Sequence, residues 1–470
     1  MPKEWRNNSI HDLYLRAHIV VSGNTSEQVE SSAKRSRTPK LWPDHALVWD
    51  TETMLDLNQT LNFGVWRFCE LHGTEYPAVQ EGIFYRDGLA REDIQTIVAY
   101  AQKHLTDGLV NGAERELKVL SRAEFVEKVF WESVRAGALI VGFNLSFDIS
   151  RIAVRWTAAR NGGFSFVLSQ LSKKQVENRH RPRIRVAPLN GVAELIELTA
   201  ARRKDEQYKW VRGRFLDLHT VAFALTDNSY SLASAIQAFH SRPEKMEYEP
   251  TGQITDKEIT YARRDVHATL GLLNALKAEY ELHPIALRPD RAYSPASIGK
   301  AYLRAMGIAE PMRKFRNLPP KTHGIAMAAY YGGRTECRIR RWPVPVVPVD
   351  LTSEYPSVDA LLGIWDALTA GRLKIEDATE DVRALLANVT LDDLFRPALW
   401  KQLNFYARII PEGDVLPIRS VYDSKSGTCN IGLNALHWKQ PMWVAGPDLI
   451  ASVLLSGHIP NVQEAFHVVP

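Results

Sequence analysis

The pattern of apolar and polar positions between residues 46 and 85 predicts three β-strands separated by turns. Residues 46–49, in the first of these strands, are all apolar, which is typical of a buried strand. Helical spacing replaces this pattern in residues 91–105 and 122–137. Residues 138–156 then predict a buried strand that continues through Gly142 into a helix. This order of elements predicts a mixed α/β fold with its chemistry at the strand ends.

Further elements are predicted toward the middle of the chain. Residues 215–225 have the pattern of another core strand, and residues 229–239 that of a helix capped by a serine. A long helix is expected over residues 254–282, where Thr255 and Glu258 have the spacing of a capping box.

Proline and glycine mark the next elements. A shorter helix should begin with Ser294 as N-cap and Pro295 at its first position, and end at Gly307. Residues 308–322 contain three prolines and several basic side chains, the composition of a linker, whereas residues 344–351 predict a strand interrupted by prolines.

Length and composition indicate a soluble protein of two or three domains, with 470 residues, 45% of them hydrophobic and 24% charged. The formal net charge is only +4, so attraction to polyanions depends on local clusters of basic residues. One cluster comprises Lys34, Arg35, Arg37 and Lys40. The other comprises Arg179, Arg181, Arg183, Arg185, Arg202, Arg203, Lys204, Arg212 and Arg214. A solvated surface and a nucleic-acid contact both fit these clusters.

Cysteine usage and the N-terminus bear on the compartment. Cys69, Cys337 and Cys429 are scattered and odd in number, which disfavours a disulfide framework or a zinc site. The chain starts without a signal-peptide pattern and has no apolar run long enough to cross a bilayer. We therefore expect a cytoplasmic protein that does not span a membrane.

Acidic side chains follow several of the predicted strands and helices. Asp50 and Glu52 end the first strand, and its period of two places both on one side, where a hard divalent cation could bind them. Asp148 begins a predicted helix, while Tyr261 and Asp265 lie four residues apart and share a face of the long helix. Structural alternatives exist for each: a solvated strand end, a helix cap, an ion pair or a core tyrosine.

These residues occur in the segments DTET at Asp50, NLSFD ending at Asp148, and YARRD ending at Asp265. Together the segments resemble the three exonuclease motifs of the DnaQ-like 3′–5′ proofreading nucleases, which have an RNase H fold, in the variant with a tyrosine in the third motif. Farther along, YYGGR and DLTSEYPS resemble the connector and the first palm motif of family B DNA polymerases, most closely those of phages, plasmids and organelles. One departure is Glu354, because the family usually has leucine at this palm position.

The resemblance implies a nuclease site that uses two Mg²⁺ or Mn²⁺ ions. By this resemblance, Asp50 would bridge both ions, and Glu52 and Asp265 would complete the one that activates water. Asp148 would hold the other ion, and Tyr261 would orient the attacking water.

The resemblance also implies residues that contact DNA and nucleotide. Asn144 and Phe147 match positions that grip a single strand. Asp350 would be a polymerase metal ligand, and Tyr355 would lie under the sugar of the incoming nucleotide. The connector residues expected to contact DNA, for which a plain helix C-terminus is the alternative, are Tyr330, Gly332 and Gly333.

The expected fold class is α/β: an RNase H-like exonuclease domain, with a mixed sheet flanked by helices, followed by an incomplete α+β polymerase palm. The expected division is a flexible basic arm at 1–44, the exonuclease domain at 45–285 with a basic hairpin at about 161–215, a connector at 286–342, and the start of the palm at 343–470. Expected partners are single-stranded 3′ ends, primer–template DNA, and a remaining polymerase segment or replication proteins. A stand-alone exonuclease and a decayed nucleic-acid-binding module remain alternatives.

Other acidic residues have structural explanations. Asp392 and Asp393 follow Thr390, which has the position of an N-cap, and Asp448 follows Pro447, so both sites predict helix starts. Asp217 matches none of the motifs and is expected to be structural. Because no second palm carboxylate is found, we do not expect polymerase activity from this chain alone.

Overall fold

The protein is described here by a computed structural model covering residues 41–106, 114–171, 176–178, 181–199, 213–332, 339, 341–351, 353–423 and 428–470. Most of the predicted basic arm, together with Gly333, lies outside these residues. The chain divides into two compact units, Met1–Ala305 and Met306–Pro470. It is a mixed α/β protein with a six-stranded mixed sheet flanked by helices and several small antiparallel sheets. No helix among the described residues is both long and apolar enough to cross a membrane.

The strands of the N-terminal unit are β1 (His45–Thr53), β2 (Leu61–Glu70), β3 (Ala78–Tyr85), β4 (Leu105–Thr106), β5 (Arg115–Glu116), β6 (Lys118–Ser121), β7 (Leu139–Gly142), β8 (Arg155–Ala158), β9 (Phe164–Val167), β10 (Gln170–Leu171), β11 (Val176–Glu177), β12 (Ile184–Pro188), β13 (Glu194–Leu198) and β14 (Arg214–Asp217). Its helices are α1 (Arg91–Lys103), α2 (Arg122–Phe125), α3 (Trp131–Ala136), α4 (Leu145–Ile152), α5 (Leu218–Thr226), α6 (Leu232–Ala238), α7 (Asp256–Glu281) and α8 (Pro295–Ala305). A π-helical turn, Val126–Phe130, joins α2 to α3, and Pro289–Arg291 forms a 3₁₀ turn.

The main sheet has the strand order β14-β7-β1-β2-β3-β6. β1 runs parallel to β7 and antiparallel to β2, so the carboxyl ends of β1, β7 and β14 meet at one edge. Val48 packs into the apolar core on one side of the sheet, while Leu47 and Trp49 pack into the core on the other side. Burial on both faces explains why residues 46–49 are all apolar.

The predicted basic hairpin is a four-stranded antiparallel sheet of order β13-β12-β9-β8. Three of its arginines form ion pairs within the chain, namely Arg181–Glu127 at 2.8 Å, Arg183–Glu177 at 2.6 Å and Arg185–Glu197 at 2.8 Å. The charge of these three arginines is therefore already met by carboxylates, which favours a solvated surface over a phosphate contact at these positions.

The predicted strand at residues 215–225 is only partly correct. β14 ends at Asp217, and the rest of the segment forms α5. The reason is the Asp217 side chain, which accepts a hydrogen bond from the Thr220 backbone N–H and so caps the helix. Since α5 is mostly apolar and none of its residues is fully exposed, its sequence lacks the charged face that distinguishes a surface helix from a strand.

The other predicted helices of this unit are confirmed. Ser231 caps α6, and α8 begins at Pro295. α7 spans most of residues 254–282, with Thr255 accepting from the Glu258 N–H. The predicted capping box is only half formed, because the Glu258 carboxylate binds another segment instead.

The helices of the C-terminal unit are α9 (Pro311–Lys314), α10 (Pro320–Ala328), α11 (Glu354–Leu361), α12 (Ile364–Thr369), α13 (Thr379–Asn388), α14 (Pro397–Trp400) and α15 (Gly446–Ser456). Its strands are β15 (Lys374–Asp377), β16 (Phe405–Ile410), β17 (Glu412–Asp423), β18 (Thr428–His437), β19 (Met442–Ala445) and β20 (Asn461–Val469). Two 3₁₀ turns, Leu391–Phe395 and Lys401–Leu403, separate α13 from β16 and flank α14. One sheet has the order β15-β20-β16-β19, and β17 pairs with β18.

The strand predicted at residues 344–351 is wrong, because the structure has no strand there. Val346, Val347 and Val349 are 83%, 85% and 91% exposed. The prolines of the segment have no N–H to donate to a sheet, which disfavours its pairing. By contrast, the helix starts predicted at Thr390 and Asp448 are confirmed, the first by a capping box between Thr390 and Asp393.

Candidate active site

Asp50 and Glu52 lie at the carboxyl end of β1, beyond the part of the strand that pairs with β7. The backbone there is closely packed against β2. A Cβ atom at Gly64 would lie 2.7 Å from the Asp50 carbonyl oxygen and 2.3 Å from the Phe84 ring. The absence of a side chain at Gly64 therefore allows this end of β1 to pack closely against β2.

Asp148, on α4, is attached directly to β1. Its Oδ1 accepts hydrogen bonds from the Thr51 backbone N–H at 3.1 Å and from the Thr51 hydroxyl at 2.6 Å. The side chain is 1% exposed. Asp148 does not cap its own helix, so the structural alternative considered for this residue does not apply.

Asp217 fixes the start of α4. Its Oδ1 accepts hydrogen bonds from the backbone N–H groups of Asn144 at 2.8 Å and Leu145 at 3.2 Å. Its Oδ2 accepts from the Thr220 N–H and so caps α5. Asn144 has a left-handed backbone with φ of +67°, which these hydrogen bonds support. The structural role expected for Asp217 is confirmed, and it positions the helix that carries Asp148.

Tyr261 and Asp265 lie one turn apart on α7, as predicted, and both are buried. A basic side chain absent from the motifs joins them. Lys245 Nζ lies 2.9 Å from Asp265 Oδ2 and 5.3 Å from the centroid of the Tyr261 ring. Asp265 therefore pairs with Lys245, and no ion pair with Arg264 is found in the described structure.

The segment that carries Lys245 is held in place by Glu258, in the first turn of α7. The Glu258 carboxylate accepts hydrogen bonds from Tyr248 Oη at 2.6 Å, Thr251 N at 2.8 Å and Gly252 N at 3.1 Å. The Asn62 side chain also donates to the Gly252 carbonyl, at 2.8 Å. The loop is thus pinned to both α7 and β2.

The acidic side chains are close enough to perturb one another. Burial, followed by the charge of Asp265, raises the pKa of Asp50 to about 6. Burial, followed by the charges of Asp50 and Asp265, raises the pKa of Glu52 to about 9. Burial and then the Asp50 charge raise the pKa of Asp148 well above its usual value, and burial raises that of Asp265. The four carboxyl groups, called the acidic cluster below, therefore share one site that favours a cation.

Burial also raises the pKa of Tyr261 to about 12, although Lys245 opposes this shift. Burial lowers the pKa of Lys245, but hydrogen bonds with Tyr261 and Asp265 outweigh it, so the net shift is upward. At neutral pH, Tyr261 therefore keeps its phenolic proton and Lys245 keeps its positive charge.

Two carboxylate oxygens of the acidic cluster have capacity for a further ligand. Asp148 Oδ2 and Asp265 Oδ1 are buried and receive no hydrogen bond from an amide, hydroxyl or amino group in the described chain. Buried carboxyl oxygens that lack such donors fit a hard divalent cation, which prefers carboxylate ligands and favours their ionised form. As the side chains stand, no three His, Cys, Asp or Glu groups among the described residues are arranged to hold a metal ion. The ion pair with Lys245 contributes to this arrangement, because it engages Asp265 Oδ2.

The residues expected to grip a single strand lie beside the acidic cluster. Asn144 is exposed at the start of α4, and Phe147 is half-buried one residue before Asp148. The guanidinium carbon of Arg151 lies 4.8 Å from the centroid of the Phe147 ring. Both predicted DNA-binding residues are therefore accessible at the same edge of the sheet.

The described residues among those expected to form the connector and the polymerase site lie on the surface of the C-terminal unit. Asp350 is exposed, Tyr355 is 77% exposed, and Tyr330 is 68% exposed beyond the end of α10. Gly332 has a φ of +79°, and Gly333 lies outside the described residues. Among the described residues, Asp350 belongs to no group of three or more His, Cys, Asp or Glu side chains that could hold a metal ion.

Sequence reasoning missed Lys245 and Glu258 as parts of the site. Lys245 lies in an irregular segment with no motif, and Glu258 was assigned to a local capping box. Each makes its contact to a residue distant in sequence or outside its own helix, so spacing alone gave no signal.

No protein-family model matches this sequence, and no curated protein matches it significantly. The case for a function therefore depends on the residues of the chain itself.

Proposed function

We propose that the N-terminal unit is a metal-dependent 3′–5′ exonuclease that acts on single-stranded DNA ends. The observation that carries this proposal is the acidic cluster: four carboxylates from β1, α4 and α7, in the order of the exonuclease motifs, meet in one buried site. A core placement alone would not favour four acidic groups so close together, because each raises the cost of charging the others.

Asp50, Glu52, Asp148 and Asp265 would hold Mg²⁺ or Mn²⁺. When bound, such ions supply an activated water and neutralise charge on the phosphodiester. Asp148 Oδ2 and Asp265 Oδ1, which receive no hydrogen bond from an amide, hydroxyl or amino group in the described chain, are the ligand atoms most available for this purpose.

The other side chains would bind and orient the reactants. Tyr261, whose phenolic proton is retained, would hydrogen-bond the attacking water. Lys245 would place a positive charge beside the scissile phosphate. Asn144 and Phe147 would hold the end of the strand, since an aromatic face that stacks a base contributes about 1–3 kcal/mol.

A direct test follows the degradation of a 5′-labelled single-stranded oligonucleotide with Mg²⁺ or Mn²⁺. The wild type should shorten it from the 3′ end, and unpaired ends should be cut faster than duplex ends. Asp50→Ala and Asp148→Asn should each reduce cleavage by at least about 10²-fold, because each removes a charged group that the transition state requires. Asp392→Asn, at an exposed helix start, is the matched control. Unchanged laddering by Asp50→Ala would refute the assignment.

The ion pair between Lys245 and Asp265 favours a second candidate: a nucleic-acid-binding module in which lysine has taken over the charge of a former metal site. Such a module would bind the oligonucleotide without shortening it. Calorimetry with Mn²⁺ distinguishes the two, since a nuclease site should bind the ion and Asp50→Ala should weaken that binding.

We also propose that the chain as a whole corresponds to the N-terminal part of a family B DNA polymerase. This proposal rests on the motif order, with YYGGR and DLTSEYPS following the exonuclease motifs. In this proposal the six-stranded sheet with α4 and α7 is the RNase H-like exonuclease fold, and a stand-alone exonuclease is the alternative.

A further inference from the structure

A groove of about 310 Å³ in the N-terminal unit is bordered by three arginines: Arg86, Arg122 and Arg151. These lie after β3, at the start of α2 and on α4, respectively. Asp87 is the only carboxylate among the residues that line the groove. The groove therefore has an excess of positive charge.

The three arginines differ in how their guanidinium groups are satisfied. Arg122 pairs with Asp87 at 2.6 Å and donates to the carbonyls of Ile152 and Leu168. Its charge and most of its donors are thus already used, and its role is to join the segments that contain Asp87, Ile152 and Leu168.

Arg151 and Arg86 keep positive charge available. Arg151 donates to the carbonyls of Asn58 at 2.7 Å and Gln59 at 2.8 Å, and no carboxylate pairs with it in the described chain. The Arg86 guanidinium has neither a hydrogen bond nor an ion pair with any described residue, and its Nε is buried. Because the whole guanidinium lacks a partner among the described residues, in a groove with excess positive charge, Arg86 is the arginine of the groove most available to an anionic ligand.

The groove contains none of the four carboxylates of the acidic cluster, but both sites include residues of α4. α4 connects the two sites. Asp148 points to the acidic cluster, whereas Phe147 and Arg151 lie one turn apart on another face of the helix. A strand whose end is held by Phe147 would therefore pass Arg151 at its next contact. The planar fork of arginine can donate two parallel hydrogen bonds to a phosphate, which is the anionic group of nucleic acids.

The geometry points to a phosphate-binding groove: Arg86 contacts a phosphodiester group of the bound single strand, at a position away from the bond that is cleaved. This inference rests on the proposed function, and it identifies how the same site selects a polynucleotide over a free nucleotide.

The test measures binding of a fluorescently labelled oligothymidylate by anisotropy, with Asp50→Ala in every protein so that the strand is not degraded. Salt is varied between about 50 and 200 mM, because each phosphate contact on a single strand contributes about 0.7 to the slope of log affinity against log salt. Arg86→Ala should bind about three- to tenfold more weakly and lower the slope by about 0.7. Arg86→Lys should keep the slope. Arg304→Ala, an exposed arginine on α8 that does not line the groove, is the charge-matched control.

An unchanged slope in Arg86→Ala would overturn the inference, as would an equal loss in Arg304→Ala. Thymidine 5′-monophosphate tests the other source of phosphate. If calorimetry shows Arg86-dependent binding of this nucleotide while oligothymidylate binding is unaffected, the groove is a mononucleotide site and the inference is wrong.

The outcome is separable from that of the nuclease assay. An Arg86-dependent slope in a protein whose Asp50-containing form does not cleave DNA would support the groove and refute the nuclease. Cleavage by that form together with an unchanged slope would refute only the groove.

Discussion

At the scale of single residues, the acidic cluster has a charge distribution that a phosphodiester nuclease requires and that a folded core does not favour. Burial and mutual repulsion raise the pKa of all four carboxyl groups. Lys245 is the only cation found in contact with these carboxylates in the described part of the chain, through Asp265. The roles of the neighbouring side chains Tyr261 and Lys245 can be distinguished by measuring the Mn²⁺ affinity and the cleavage rate of a variant at each position.

Tyr261→Phe should slow cleavage by about 10²-fold, within the usual effect of one positioned proton-handling group. Its affinity for Mn²⁺ should barely change, because the hydroxyl is expected to orient water and not to bind the ion. Single-turnover cleavage and calorimetry measure the two effects. Asp50→Ala serves as the reference for lost affinity, and a comparable loss in Tyr261→Phe would assign the hydroxyl to metal binding instead.

Lys245→Met should bind Mn²⁺ about fivefold more tightly yet cleave more slowly. The methionine keeps the aliphatic stem but removes a charge that competes for Asp265, which at this partly exposed site is worth on the order of 1 kcal/mol. Titration with Mn²⁺ gives the affinity, and Lys257→Met, an exposed lysine on α7, controls for general loss of charge. Weaker binding by Lys245→Met would mean that the lysine holds the carboxylates in place.

Strand and helix periodicity predicted that Asp50 and Glu52 share a face and that Tyr261 and Asp265 share another. The resemblance to the exonuclease motifs, and not periodicity, grouped these pairs with Asp148. Lys245 and Glu258 could not be predicted in this way. Their contacts depend on the path of an irregular loop, which is set by hydrogen bonds to Tyr248, Thr251 and Gly252. The sequence therefore predicts the site residues that lie on strands and helices, but not the contacts made by the irregular loop.

At the scale of elements, the position of α7 against the sheet is what brings Asp265 to β1. A buried ion network supports it: Glu81 on β3 pairs with Arg67 at 3.3 Å and with Arg263 on α7 at 2.7 Å. Glu81 is completely buried. Such a network costs free energy to desolvate but is strongly destabilising to break, so it fixes one placement of the helix.

The register of β1 against β2 also determines where Asp50 lies, and a substitution at Gly64 tests this. Gly64→Ala would place a methyl group 2.3 Å from the Phe84 ring and 2.7 Å from the Asp50 carbonyl, so β1 or β2 must shift. We expect a loss of about 1–3 kcal/mol in the free energy of unfolding, and weaker Mn²⁺ binding. Gly191→Ala is the matched control, because a Cβ there meets nothing within 4 Å. Urea unfolding measures the stability of both variants, and calorimetry measures their Mn²⁺ binding. Equal stability of the two variants would contradict the packing argument.

Element predictions failed where local sequence was ambiguous. α5 is apolar on nearly every face, so its pattern matches a buried strand, and only the cap at Asp217 marks the change. Residues 344–351 have the valines of a strand, but the prolines between them remove ladder donors, and the segment stays exposed. The Asp217 side-chain cap in the first case, and the missing N–H groups of the prolines in the second, outweighed the hydrophobic pattern.

At the scale of the whole molecule, the two compact units differ in whether their predicted functional residues are buried or exposed. The N-terminal unit gathers its acidic side chains into one buried, charged site. The C-terminal unit leaves Asp350 and Tyr355 exposed, and the other acidic residues that were considered there have structural roles. Asp393 accepts hydrogen bonds from the backbone N–H and hydroxyl of Thr390, and Asp448 lies in the first turn of α15.

This contrast predicts that the chain alone degrades DNA but does not extend a primer. Nucleotidyl transfer by two metals needs several acidic ligands in one place, and Asp350 belongs to no group of three or more potential metal ligands among the described residues. The assay supplies a primed template, the four deoxynucleotides and Mn²⁺ to the Asp50→Ala protein, so that degradation cannot hide synthesis. We expect no templated addition. Addition that disappears in the Asp50→Ala, Asp350→Ala double variant would show that a polymerase site forms around Asp350 when DNA and nucleotide bind.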